Sequence, residues 1–267
     1  MSTVLSIITI NFNNADGLAK TMQSVIAQTY KNIEYIVIDG GSTDGSKTLI
    51  EGHAAPIAEW VSEPDRGIYH AMNKGIEKST SAYLLFLNSG DVLMNKDTIA
   101  NCFPAKMTAD IVYGSISSAG RVITYPSELD FTYFFRDSIP HPATFISRKA
   151  FEASGKYNEG NKIVSDWEFF LKAIIKDKAS YARIPDTITD YDPNGISANP
   201  AYSALQNKER VNVLIPYIED HYKDLLAGFT KLENELNLYK NSRVISGIKK
   251  IINGKTYRSI KKKGRSS

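Results

Sequence analysis

The chain has 267 residues, 42% of them hydrophobic and 23% charged, with one cysteine and a formal net charge of +3. That balance excludes a disordered polymer, and one cysteine excludes an internal disulfide or a cysteine-based zinc cluster, so a reducing compartment suits the chain. Ten of the 32 basic residues and none of the 29 acidic ones lie from Lys240 onward, which leaves residues 1–239 with a net charge of −7 and argues against a nucleic-acid-binding body.

The run Val4 to Asn11 is apolar and β-branched and lacks the basic start of a secretion signal, so it reads as a first strand. Leu18, Met22, Val25 and Ile26 follow near helical spacing. The same alternation recurs: strand Ile33 to Asp39 with a helix from about Gly45, then strand Ile57 to Glu63 with a helix over IYHAMNKGIEKS, then strand Tyr83 to Leu87. Strands and helices joined this briefly predict parallel strands with helices on both faces, an arrangement that collects ligands at the carboxyl ends of the strands. Asn11 and Asn13, the turn Asp39 to Ser46, Glu63 to Arg66, and Asn88 to Asp91 all fall at those ends.

Beyond Asp91 the alternation weakens. Ile111 to Ser117 and Arg121 to Tyr125 suggest a hairpin, Ala143 to Arg148 a further strand, and Tyr181 to Ile184 and Thr187 to Tyr191 two short ones. Asp166 to Lys176 is an amphipathic helix with Ser165 or Asp166 as its N-cap. From Tyr202 to about Tyr239 the chain reads as helical, broken near Pro216. Residues 241–267 interleave basic and aliphatic residues as a basic amphipathic helix would, a pattern suited to an anionic membrane surface. No stretch approaches the roughly 18 apolar residues of a membrane span.

Several residues suggest chemistry. Asp39 ends a buried strand, where a carboxylate requires hydrogen-bond donors, and a nucleobase could supply one. In the turn after it, Ser42, Thr43 and Asp44 suit capping of the next helix. No GxGxxG follows the first strand and no GxxxxGK[ST] occurs, which argues against dinucleotide and P-loop sites. Asp91 is a candidate ligand for Mg2+ or Mn2+, cations that prefer oxygen and are often held by one or two carboxylates plus substrate phosphates. Cys102 reads as a small apolar residue buried in a helix.

The segments SIITINFNN, IEYIVIDGGSTDGS, SEPDRGIYHAMNKGI, YLLFLNSGD, HPATFISR and SDWEFFLKAI, in this order and spacing, resemble the inverting family 2 glycosyltransferases, and within them bacterial enzymes of capsule, O-antigen or colanic-acid-type synthesis. The resemblance covers Ser2 to Ser197. It implies an α/β GT-A fold, with a Rossmann-like, mostly parallel central sheet flanked by helices and a helical C-terminal extension. Residues 1–200 would form the transferase domain, with 1–95 as its nucleotide-binding half and 96–200 as its acceptor and catalytic half; 201–240 would be the helical extension and 241–267 the basic tail. The implied activity is transfer of a sugar, with inversion, from a nucleotide donor such as a UDP-sugar to a hydroxyl of a lipid-linked or oligosaccharide acceptor. Such a protein would be cytoplasmic and peripheral at the inner membrane face.

By the same resemblance Thr9 and Asn11 line base and ribose with Asn13 beside them, Asp39 contacts the base, Asp65 and Arg66 lie alongside, and Asn73 and Lys74 shape the nucleotide pocket. The D-x-D metal motif falls on Ser89-Gly90-Asp91, so Asp91 is its one carboxylate and Ser89 faces the nucleotide. Asp166 matches the general base, and His141 could contact diphosphate, metal or acceptor. Asp192 and Asn194 lie in a loop that could close over the substrates. Two rivals stay open: a sugar nucleotidyltransferase, for which no glycine-rich activating loop is found, and a non-catalytic sugar-nucleotide-binding subunit.

Overall fold

Strand β1 (Leu5–Asn11) is buried along its whole length, as its unbroken apolar run requires of a central strand. The computed structural model describes residues 5–197, 199–218, 221 and 222. After β1 come α1 (Ala15–Ile26), β2 (Ile33–Asp39), α2 (Ser46–Gly52), β3 (Glu59–Ser62), α3 (Ile68–Lys78) and β4 (Tyr83–Phe86). β1 pairs in parallel with β2 and β4, and β2 with β3. The alternation of side chains along β1 sends its neighbours to opposite layers. Leu5 and Ile7 join Leu18, Met22 and Val25 of α1 in one core cluster. Ile8 faces α3, where Gly75 admits it: a Cβ at Gly75 would lie 2.4 Å from Cγ2 of Ile8.

The second half comprises β5 (Val92–Leu93), α4 (Thr98–Cys102), β6 (Ile111–Ser118), β7 (Arg121–Ile123), α5 (Phe131–Arg136), β8 (Thr144–Ser147), α6 (Arg148–Ser154), α7 (Ser165–Leu171) and β9 (Tyr181–Asp190). Cys102 is buried at the end of α4, as expected. The sheet runs β3-β2-β1-β4-β8-β6-β9-β5, with β7 on β6. β4 and β6 flank β8 antiparallel, while β6 pairs with β9 in parallel, so this half is mixed.

Two local expectations change. The two short strands near residue 185 are one strand, β9, whose irregularity is absorbed by register shifts around Ser115. Gly114 permits it, since a Cβ there would lie 2.5 Å from the carbonyl oxygen of Asp186. The amphipathic helix is α-helical only over Ser165–Leu171 and continues as a π-turn over Lys172–Lys176; its N-cap is Val164, with no side-chain cap of its own. Helix α8 (Ser203–Ile218) includes Pro216 in its last turn, and Ile218 is its last described residue.

The chain divides into two compact units, Met1–Ser203 and Ala204–Ser267. No described helix is long and apolar enough to cross a membrane. The basic segment 241–267 lies outside the described residues.

Candidate functional site

The carboxyl ends of β1, β2, β3 and β4 meet in one hydrogen-bonded cluster centred on Asp39, which is fully buried. Its Oδ1 accepts from Nδ2 of Asn11 at 2.7 Å and from the Ser42 hydroxyl at 2.5 Å. Its Oδ2 accepts from the Ser42 N–H at 3.0 Å and the Ser62 hydroxyl at 2.7 Å. Burial pushes the carboxyl up, but these donors more than offset it and hold the group below its ordinary value. The donors that its burial demands are thus protein groups. Ser89 ties in the fourth strand, its hydroxyl lying 2.8 Å from Oδ1 of Asn11 and 3.1 Å from the carbonyl oxygen of Ile10. Asn13, at φ 48°, accepts the Thr43 N–H, and its own N–H donates to Ser42. Asp44 caps α2 through the Ser46 N–H, whereas Ser42 serves Asp39. Thr9 is enclosed in the sheet, accepting from the Tyr35 hydroxyl at 3.1 Å.

Phe12 projects from this edge with 65% of its surface exposed. It borders Gly40, where a Cβ would lie 3.2 Å from the Phe12 ring and 2.4 Å from Oδ2 of Asp65. Phe12 is not among the residues the sequence singles out; its one mark there is an aromatic between two asparagines directly after a buried strand. Asp65 accepts the Gly67 N–H at 2.8 Å. Arg66 is largely exposed and pairs with Glu159 at 2.6 Å. Asn73 is buried and clasps the backbone of Tyr157 through both its oxygen and its nitrogen, and donates to Glu159 as well. Lys74 pairs with Glu63 at 2.7 Å.

Asp91 is only 3% exposed. Backbone N–H groups of Asn88 and Asp192 donate to its two oxygens at 3.2 and 3.1 Å. Burial raises its carboxyl to about 7; the two N–H groups oppose that, and the charges of Asp192 and Asp190 add to it. The Asp192 side chain lies over Gly90, at φ 111°, where a Cβ would come 2.5 Å from its Oδ2. The Oδ1 of Asn88 is buried without a hydrogen-bond partner. Among the described residues no three His, Cys, Asp or Glu side chains gather as metal ligands. A buried carboxylate, a second one beside it and an orphaned amide oxygen are hard oxygen donors that fit a divalent cation able to draw its other ligands from a substrate.

Asp166 lies in the first turn of α7 and accepts a hydrogen bond from the Tyr69 hydroxyl at 2.7 Å. His141 is buried, its Nε2 2.9 Å from the Tyr157 hydroxyl and its ring stacked on Phe86 at 5.0 Å. Desolvation lowers its pKa, with the charge of Asp166 opposing, so the imidazole is neutral at pH 7. Phe151, Tyr157 and Phe169 complete an aromatic floor beneath these groups. Tyr191 follows the end of β9, its hydroxyl 3.3 Å from Oγ of Ser197. Burial raises its hydroxyl most, a hydrogen bond with Ser197 opposes, and Asp91, Asp166 and Asp192 each raise it further.

A sheet of this order, with its polar edge at the ends of β1 to β4, is the α/β GT-A architecture. The structure is similar to Staphylococcus aureus TarS 1–349 in complex with UDP-GlcNAc, with a TM-score of 0.63 and 17% identity over 83% of this chain and 73% of that one. It is likewise similar to the mannosyltransferase PcManGT of Pyrobaculum calidifontis in complex with GDP-Man and Mn2+, with a TM-score of 0.64 and 18% identity over 85% and 69% of the two chains. Residues 6–153 match Glycosyl transferase family 2, and the chain belongs to that family. An uncharacterized glycosyltransferase of Mycobacterium tuberculosis is 33% identical over 210 residues, covering 75% of this chain and 79% of the relative. A PGL/p-HBAD biosynthesis glycosyltransferase of Mycobacterium bovis is 30% identical over 176 residues, 63% and 69% of the two chains.

Proposed function

We propose that this glycosyltransferase moves a sugar from a nucleotide donor, a UDP-sugar in the first instance, to a hydroxyl of a lipid-linked or oligosaccharide acceptor, with inversion, in bacterial surface polysaccharide synthesis. The observation that carries this reading is a pair of held carboxylates: Asp91, buried where β4 ends and bound by the Asp192 N–H at 3.1 Å, and Asp166, bound by the hydroxyl of Tyr69 from α3 at 2.7 Å. Two carboxylates across one site suit the two tasks of a direct displacement: one near the leaving diphosphate and one near the incoming hydroxyl.

On this reading Asp166 takes the acceptor hydroxyl's proton as the acceptor oxygen bonds to the anomeric carbon. The carbon–oxygen bond to the diphosphate breaks in the same step, and the diphosphate departs with the electron pair. Asp91, with Asp192 and the Asn88 amide oxygen nearby, would hold a Mn2+ or Mg2+ that neutralises charge on the diphosphate. Phe12 offers a face for a nucleobase at the edge built around Asp39. Arg66, exposed and held among the described residues by a surface ion pair with Glu159, is available to an anionic donor. Neutral His141 supports the aromatic floor through Tyr157. The domain reading keeps 1–200 as the transferase and assigns 241–267 to an anionic membrane surface at the inner face.

The deciding experiment is a panel of UDP- and GDP-sugars assayed with Mn2+ for release of the nucleoside diphosphate, run with wild type and Asp166→Asn. Turnover that disappears in Asp166→Asn, with UDP binding retained, supports the reading. Full transfer by Asp166→Asn removes the base assignment, and release of pyrophosphate instead points to a nucleotidyltransferase.

A further inference from the structure

Helix α7 begins without a side-chain cap from its own flank, because Val164 occupies the cap position. Tyr69, on α3 and 97 residues away in sequence, reaches the first turn of this helix, where its hydroxyl donates to Oδ1 of Asp166 at 2.7 Å.

We propose that Tyr69 is a positioning residue for Asp166: its phenol fixes which carboxylate oxygen is left to receive the acceptor proton. This rests on the reading of Asp166 as the base. Oδ1 is held by the phenol, while Oδ2 has no hydrogen bond among the described residues. A charge-assisted hydrogen bond to a carboxylate is directional and about twice as strong as a neutral one, so it restrains carboxyl rotation. Tyr69 is itself immobilised, 4% exposed and packed against Tyr157 with ring centroids 5.7 Å apart. Burial, and after it the charge of Asp166, holds the phenol well above its ordinary pKa, so it stays a donor throughout the working range. Tyr69 also lies on the helix that follows Asp65 and Arg66, so α3 joins the nucleotide edge to the carboxylate across the site. A carboxylate free to rotate would spend less time in the reactive pose, and a misplacement of about 1 Å can cost on the order of a hundredfold in rate.

The test uses full-length protein, the UDP- and GDP-sugar panel with Mn2+, and water as acceptor in the donor-hydrolysis assay. Tyr69→Phe is expected to lower kcat about ten- to hundredfold. Donor KM and the Kd for UDP should stay within about twofold. On the residual turnover of Asp166→Asn, read in prolonged incubations, Tyr69→Phe should cause no further loss, since the group it orients is gone. Unchanged kcat in Tyr69→Phe, with Asp166→Asn inactive, overturns the inference and leaves the base reading intact. An equal loss in both backgrounds also overturns it, by showing a general structural role. Activity retained in Asp166→Asn overturns the base reading itself, as does absence of turnover by wild type with every donor. If circular dichroism shows Tyr69→Phe unfolded, Asp166→Glu moves the carboxyl one methylene beyond the phenol. Loss of kcat at unchanged UDP Kd then supports the inference, and full kcat overturns it.

Discussion

The side-chain amide of Asn11 donates to Oδ1 of Asp39 at 2.7 Å, and the two residues are also cross-strand partners at the last paired position of β1 and β2. The final rung of the parallel ladder is therefore closed twice, by backbone and by side chains. The edge of the site is built before any ligand arrives.

Replacing Asp39 by Ala removes the buried acceptor of four hydrogen bonds from Asn11, Ser42 and Ser62. A loss of about 3 kcal/mol or more is expected in urea unfolding at pH 7. Because the folded-state pKa of Asp39 is lowered, its contribution is present above the ordinary carboxylate value and is lost as pH falls through the folded value. The difference between wild type and Asp39→Ala should therefore shrink in acid. A difference that grows in acid would contradict the assignment.

Asp91 behaves in the opposite sense. Its folded pKa is raised to about 7, so the metal-free native state holds a proton that the unfolded chain has released, and stability falls as pH rises from the ordinary carboxylate range through about 7. A cation must displace that proton. With UDP present, the apparent Mn2+ affinity of wild type is expected to rise by up to about tenfold per pH unit below about 7 and then level off. Titration calorimetry of Asp91→Asn should show weak binding with no such rise.

Gly75 lets α3 approach β1, and a methyl group there meets Cγ2 of Ile8, a branch that cannot swing away without moving the strand's side chain. Gly75→Ala should destabilise the protein by about 1–3 kcal/mol in thermal or urea unfolding. Ile8→Val, which keeps Cγ2 and shortens only the longer branch, should not relieve it.

The basic segment leads to a prediction from charge alone. Full-length protein should sediment with vesicles containing anionic lipid, less so at high salt, while a variant ending near Tyr239 should not. Equal binding by both would exclude a membrane role for residues 241–267.

The parallel half of the fold was legible because its signals are local. Each apolar run and the helical period after it lie within about 30 residues, and short right-handed connections leave little choice of arrangement. The polar tips Asn11, Asp39 and Asn88 to Asp91 were legible for the same reason: a buried run that stops at a polar residue marks a strand end. The family resemblance rested on these same segments. Tertiary structure decided the partners. Nothing in the period of residues 181–190 tells that they form one strand beside β6, because the room made at Gly114 appears only when the strands meet. The donors around Asp39 come from three separate segments. The hydroxyl that holds Asp166 at the start of α7 comes from Tyr69, far back in the chain. Periodicity and turn chemistry act between neighbours in sequence, whereas satisfying a buried carboxylate is settled by whichever side chain the completed packing brings within hydrogen-bonding distance.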